Sequence, residues 1–147
     1  MRHLWTVSAF SSTAVSSRRR QRARKDGERV ETKDPAVVRE NDAKIVLEEG
    51  EFVRIYLDEP GLQFSVAELA PGARGPVDPG HKGAAEVAYV ITGRLLVSFP
   101  NRHLVLEGRA GDSILIPPGE PHQPLNASEH PTVFTWSLAP NPSTDDR

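Results

Sequence analysis

Cysteine is absent from all 147 residues, which removes disulfides, zinc–thiolate sites and thiol nucleophiles together. Any metal would have to be held by imidazole and carboxylate. Long apolar runs are missing too: none approaches the roughly 20 residues that span a bilayer, and the longest are of strand length. A soluble chain with no membrane partner is the expectation. Residues 1–25 contain no Asp or Glu but seven Arg or Lys, which leaves 11 basic against 20 acidic residues over 26–147 and a net charge near −9 there. Nucleic acid is a poor partner for so acidic a body, because phosphates demand a basic footprint. Its field favours metal cations instead.

The basic segment at the start has no continuous apolar core followed by a small-residue cleavage site, so it does not read as a secretory signal. Its Ser- and Arg-rich composition fits a disordered basic tail, an organellar transit peptide or a mis-assigned start. The block RRRQRARK at 18–25 admits a nucleic-acid or localisation patch, although such runs are usually solvated. Residues 26–42 are charged and lack periodic apolar positions, which reads as linker. The division expected is a tail and linker over 1–42, a folded body over 43–140 and a short tail over 141–147. Residues 1–43 offer no pair of amphipathic helices for a helix-turn-helix regulator, and a cytoplasmic location is expected.

From residue 43 the pattern turns to short β-type runs separated by Gly, Pro and Asn, the mark of an all-β sandwich or barrel. Strands are expected over 43–47, 52–57, 62–69, 87–92, 95–99, 103–106, 113–116 and 132–138, with tight antiparallel connections at 93–94 and 100–102. In the second run Val53, Ile55 and Leu57 share a face; in the third, Leu62, Phe64 and Val66 oppose Gln63, Ser65 and Ala67. Phe64, Val90 and Leu115 are assigned to the core. Phe134 and Trp136 share a face on the last strand, where core packing outweighs pocket lining. APGARGPVDPG at 70–80 holds three Gly and three Pro. It must be a loop, because Pro cannot donate to a ladder.

Two blocks carry chemistry. In GDSILIPPGEPHQPLN, Gly111, Pro117, Gly119, His122 and Asn126 stand at fixed spacing; in HKGAAEVAYVITG, Glu86 follows His81 after four residues and Gly93 follows after six more. Turns rich in Pro and Gly fix the backbone cheaply, so a side chain just after them is held in place. Two imidazoles and one carboxylate form a set that suits Fe(II), and also Mn, Ni, Co or Zn, with coordination positions left open for a ligand. Gly93, Gly111, Gly119, Pro117 and Asn126 read as turn and strand-end residues. Tyr89 and Gln63 are candidates for pocket hydrogen bonds, whereas His3, His103 and His130 read as surface residues.

These blocks resemble the two motifs of the cupin superfamily, and the chain resembles a small single-domain (type-2) cupin over roughly residues 44–140. The resemblance implies a double-stranded β-helix, or jelly-roll, barrel, here a single one. It implies a divalent metal, Fe(II) first or else Mn, Ni, Co or Zn, held by His81, Glu86 and His122. One departure stands out: where the family's first motif has His, any residue, His, this chain has Pro79, Gly80, His81. Asp78, beside Pro79, is a weaker candidate for the lost ligand, since a strand neighbour would face the other way. The family includes dioxygenases, isomerases, decarboxylases and lyases acting on small oxygenated molecules. It also includes non-catalytic barrels that hold a sugar or organic acid, and a degraded metal site fits those. A homodimer is the implied default, with the first strand as the element to watch.

Overall fold

The structure, a computed structural model, describes residues 34–142; the basic tail, the first part of the linker and residues 143–147 lie outside them. Among the described residues there are nine strands and no α-helix, so no helix is long and apolar enough to cross a membrane. The strands are β1 (Lys44–Glu48), β2 (Glu51–Glu59), β3 (Leu62–Leu69), β4 (Ala85–Thr92), β5 (Arg94–Phe99), β6 (Leu104–Arg109), β7 (Ser113–Ile116), β8 (Gln123–Leu125) and β9 (Thr132–Ala139). They form a six-stranded sheet ordered β1-β2-β3-β9-β4-β7 and a three-stranded sheet ordered β6-β5-β8. All of the pairings are antiparallel. The expected all-β jelly roll is the fold observed.

Alternation along the strands decides where the core sits. Ala67 and Leu69 on β3, Ala88 and Val90 on β4, Leu95, Val97 and Phe99 on β5, Ile114 and Ile116 on β7 and Phe134 on β9 are buried together. Following the same inward faces toward the other end of the barrel leads out of the core and into a cavity. Gln63 and Ser65 on β3, Glu86 on β4, and Trp136 and Leu138 on β9 line it. One half of the barrel is therefore filled and the other half is hollow. Asn126 ties the closed half to its loops: its buried Nδ2 donates to the carbonyls of Leu69, Ala70 and His130, and its Oδ1 accepts from Ser128.

Four expectations need correction. Leu115 is 68% exposed and Phe64 is only half-buried; both lie on the outer face of the large sheet, Phe64 against Tyr56 at 6.3 Å between centroids. The run Ile114–Ile116 is apolar throughout, so alternation alone could not choose its inward face, and pairing with β4 chose Ile114 and Ile116. The connection at Gly93 is not a hairpin: β4 and β5 belong to different sheets, and the chain turns a corner there. The hairpin expected at 100–102 does form, between β5 and β6. Leu57 also leaves the regular alternation, because the β2–β3 register shifts between Ile55 and Leu57.

Candidate metal centre

The site is assembled by two loops that zip together. Asp78 and His122 exchange both backbone hydrogen bonds, Asp78 N to His122 O at 2.8 Å and His122 N to Asp78 O at 3.0 Å, and Gly119 N donates to His81 O at 2.9 Å. Residues directly opposite in an antiparallel pair present their side chains to the same face. Since His122 faces the cavity, so does Asp78. Gly80 lies between them and His81 with φ +84, and a Cβ there would come within 2.6–2.8 Å of the Gly119 and Glu120 backbone. Gly80→Ala is accordingly expected to cost more than about 2 kcal/mol, from the left-handed backbone and the collision together. Urea unfolding checks the cost, and weakened metal binding should accompany it.

His81, Glu86, His122 and Asp78 all line this one cavity, about 290 Å³ in volume. One donor atom from each of Asp78, His81 and Glu86 falls within 4.8 Å of the other two. His122 lies outside that triple, but its Nε2 stands 3.4 Å from Glu86 Oε2. His81 Nε2 is 3.2 Å from Asp78 Oδ2, and Asp78 Oδ1 accepts from the Gly80 amide at 2.7 Å. Asp78 thus brings a carboxylate oxygen within reach of His81 and Glu86. The alternation argument against it failed because the bridge to His122, a contact 44 residues away in sequence, set its direction.

The electrostatics point to a missing positive charge. His122 is 2% exposed and its Nδ1 lies 3.0 Å from the Glu120 carbonyl. A carbonyl can only accept, so Nδ1 carries the hydrogen, and in the neutral ring Nε2 presents a lone pair. That lone pair faces Glu86 Oε2, a buried oxygen without a hydrogen-bond partner. Two acceptors cannot share a dry space unless a proton or a cation sits between them. Burial, and then the charge of Asp78, push the Glu86 carboxyl up to about 7, which is how the site behaves when only a proton is available. Burial would also raise Asp78, but hydrogen bonds from His81 and the Gly80 amide outweigh it and hold that carboxyl below its usual range. The donor set fits a divalent metal ion on these observations.

Glu51 was not anticipated. It lines the cavity at 6% exposure, and its Oε1 accepts from Trp136 Nε1 at 2.9 Å. Burial pushes it up to about 7, against the lowering effect of the indole hydrogen bond. The signal was present in the alternation Glu51, Val53, Ile55, but Glu51 follows Glu48, Glu49 and Gly50 and reads as part of a turn. Trp136 packs against the core and also lines the cavity, 5.6 Å from the His122 ring. Gln63 lines the cavity too, whereas Tyr89 is 45% exposed and is not among the lining residues.

The raised Glu51 carboxyl makes a pH prediction for the metal-free protein. A folded-state value near 7 against about 4.5 unfolded means that the folded form holds the proton longer. This contribution is fully present below about pH 4.5 and is lost as pH rises through 7, a change on the order of 3 kcal/mol. Glu51→Gln should therefore match the wild type near pH 4.5 and exceed its stability near pH 8 when unfolding is followed in chelator. Equal pH profiles for the two proteins would contradict it.

With this geometry in place, residues 65–138 match the family model of the Cupin domain. The chain belongs to the cupin family. A germin-like protein of Morus alba is 33% identical to this cupin over 86 residues; the match covers 56% of this chain and 41% of that protein, so the chain spans about two fifths of its relative's length. Among solved structures, KdgF of a Halomonas species superposes with a TM-score of 0.63 at 18% identity, over 76% of this cupin and 98% of that chain. The polyketide cyclase RemF of Streptomyces resistomycificus superposes with a TM-score of 0.60 at 22% identity, over 72% and 80% respectively. At such identities the likeness to these two establishes the shared barrel.

Proposed function

We propose that this cupin is a metal-dependent enzyme that acts on a small oxygenated molecule at His81, Glu86 and His122, with Asp78 as a further oxygen donor. The observation that carries the reading is the His122 Nε2 lone pair set 3.4 Å from the unpartnered, buried Glu86 Oε2. Two imidazoles with carboxylate oxygens suit Fe(II), and also Mn, Ni, Co or Zn. Such an ion, when bound, supplies Lewis-acid polarisation of a carbonyl or enolate oxygen, and oxygen activation if it is redox-active.

The chain's own residues do the rest. The Glu120 carbonyl holds the His122 tautomer, and the Gly80 amide orients Asp78. Such outer contacts are what keep a donor set in register. Val46, Val53, Ile55, Leu138 and Trp136 give the cavity an apolar wall that limits water around a bound molecule. The reaction is of the dioxygenase, isomerase or decarboxylase/lyase type. RemF, a polyketide cyclase by name, is an enzyme with the same barrel. A second reading, a non-catalytic barrel that holds a small molecule, draws on Pro79 in place of the usual histidine.

Metal binding to the folded state alone should raise stability by about 2.7 kcal/mol at a hundredfold excess over Kd, roughly 10 °C in Tm for a domain of this size. Thermal scans with Fe(II) or Mn(II) against chelator read this directly, and an unchanged Tm would remove the proposal. Oxygen uptake by the iron-loaded protein separates the oxygenase branch from the others. The reading extends to a homodimer through the edge strand β1, where Ile45 and Leu47 are 58% and 73% exposed. Ile45→Lys should shift the mass measured by light scattering from dimer to monomer; a wild type that is already monomeric would refute the dimer.

A further inference from the structure

The cavity carries more acid than a metal site requires. Glu51 opens β2 on the same inward face as Val53 and Ile55, and Glu48, from the end of β1, lines the same space. The Glu51 carboxylate is built in rather than incidental. Trp136 Nε1 donates to one oxygen, and a Cβ on Gly75 would collide with the other oxygen and with Pro124. A side chain at position 75 would have to displace this carboxylate where the 70–84 loop passes over it. Among the described residues that line the cavity there is no Arg or Lys.

The charges can be apportioned. A divalent ion would offset Asp78 and Glu86, with His81 and His122 neutral, and nothing on the wall would offset Glu51 or Glu48. A ligand carboxylate placed in the remaining space would meet like charge in a medium of reduced dielectric, without a basic side chain to pair with. A neutral or cationic group would gain a hydrogen bond or ion pair from Glu51, and an apolar body would bury against Val46, Val53, Ile55 and Leu138. We propose that Glu51 is a specificity-determining residue of this cavity, and that it selects an uncharged or cationic molecule with an apolar body over a carboxylate-rich one. The inference rests on the cavity being the ligand site, as in the function proposed above.

Benzamidine, benzamide and benzoate share one shape and differ in charge, so calorimetric titration with the three isolates the electrostatic effect. The titrations use the full chain in metal-free and metal-loaded forms, near pH 8 where Glu51 is ionised. In the metal-free wild type the expected order of affinity is benzamidine, benzamide, benzoate. Glu51→Gln, which keeps an oxygen for Trp136, should tighten benzoate relative to benzamide by about tenfold in both forms and weaken benzamidine. Glu48→Gln, nearer the rim, should move the same ratio in the same direction by less. A benzoate-to-benzamide ratio that stays within about twofold in Glu51→Gln would overturn the inference, as would a metal-free wild type that prefers benzoate or binds neither benzamide nor benzamidine. Metal content counted on the same samples keeps the two ideas apart: absence of metal sinks the metal centre, whereas an unchanged ratio sinks only the role of Glu51.

Discussion

Glu86→Gln is expected to lose more than about 100-fold in divalent-metal affinity, since even the loss of an outer-shell partner costs roughly 10–100-fold. In chelator the same variant should keep or gain stability near neutral pH. The wild-type carboxyl is 8% exposed, is pushed up to about 7, and leaves Oε2 without a partner, so removing its charge removes a desolvation cost. The opposite signs are what mark a ligand. A residue kept only for packing or hydrogen bonding would lose stability with or without metal. Competition with a chelating dye and parallel urea unfolding measure the two quantities, and intact affinity together with lost stability would refute the assignment.

Phe134→Ala should destabilise the fold by about 3–5 kcal/mol, the usual cost of emptying a fully buried phenylalanine site. Phe134 lies on the central β9, opposite Ala67 on β3 and Val90 on β4, with no exposed surface. Its ring meets Trp136 edge-on at 5.2 Å, and Trp136 in turn packs on His122. A cavity at position 134 should therefore loosen the metal centre as well as the core, and metal affinity should fall in the variant under conditions where it remains folded. Leu115→Ala, on the exposed outer face, should cost less than about 0.5 kcal/mol. Chemical denaturation of the two variants side by side tests the inside–outside assignment that sequence patterning had placed wrongly for Leu115.

The barrel was legible in the spacing of Gly93, Gly111, Pro117, Gly119 and Asn126, because these residues punctuate turns whose geometry demands them. Gly93, Gly111 and Gly119 all adopt positive φ, and Asn126 holds its loops by side-chain hydrogen bonds. Facing was harder to read where a run is apolar on both sides, as at Ile114–Ile116, or where a register shift interrupts alternation, as after Ile55. His81, Glu86 and His122 come together in one cavity, as the motifs suggested. Asp78 could not be placed from local pattern, and Glu51, though in phase with Val53 and Ile55, is hidden by the turn residues Glu48, Glu49 and Gly50 before it. The direction of Asp78 depends on its bridge to His122, and the Glu51 carboxyl is held by a hydrogen bond from Trp136 on β9, two strands away in the same sheet. Both contacts are long-range, and both bring carboxylates into the cavity.

The most direct test of the metal centre is elemental analysis of the purified protein beside its His81→Ala and His122→Ala variants. The expected result is about one Fe, Mn, Ni, Co or Zn per chain in the wild type, lost in both variants. Metal retained in both variants, or none held by the wild type after loading, would contradict a site built on His81, Glu86 and His122.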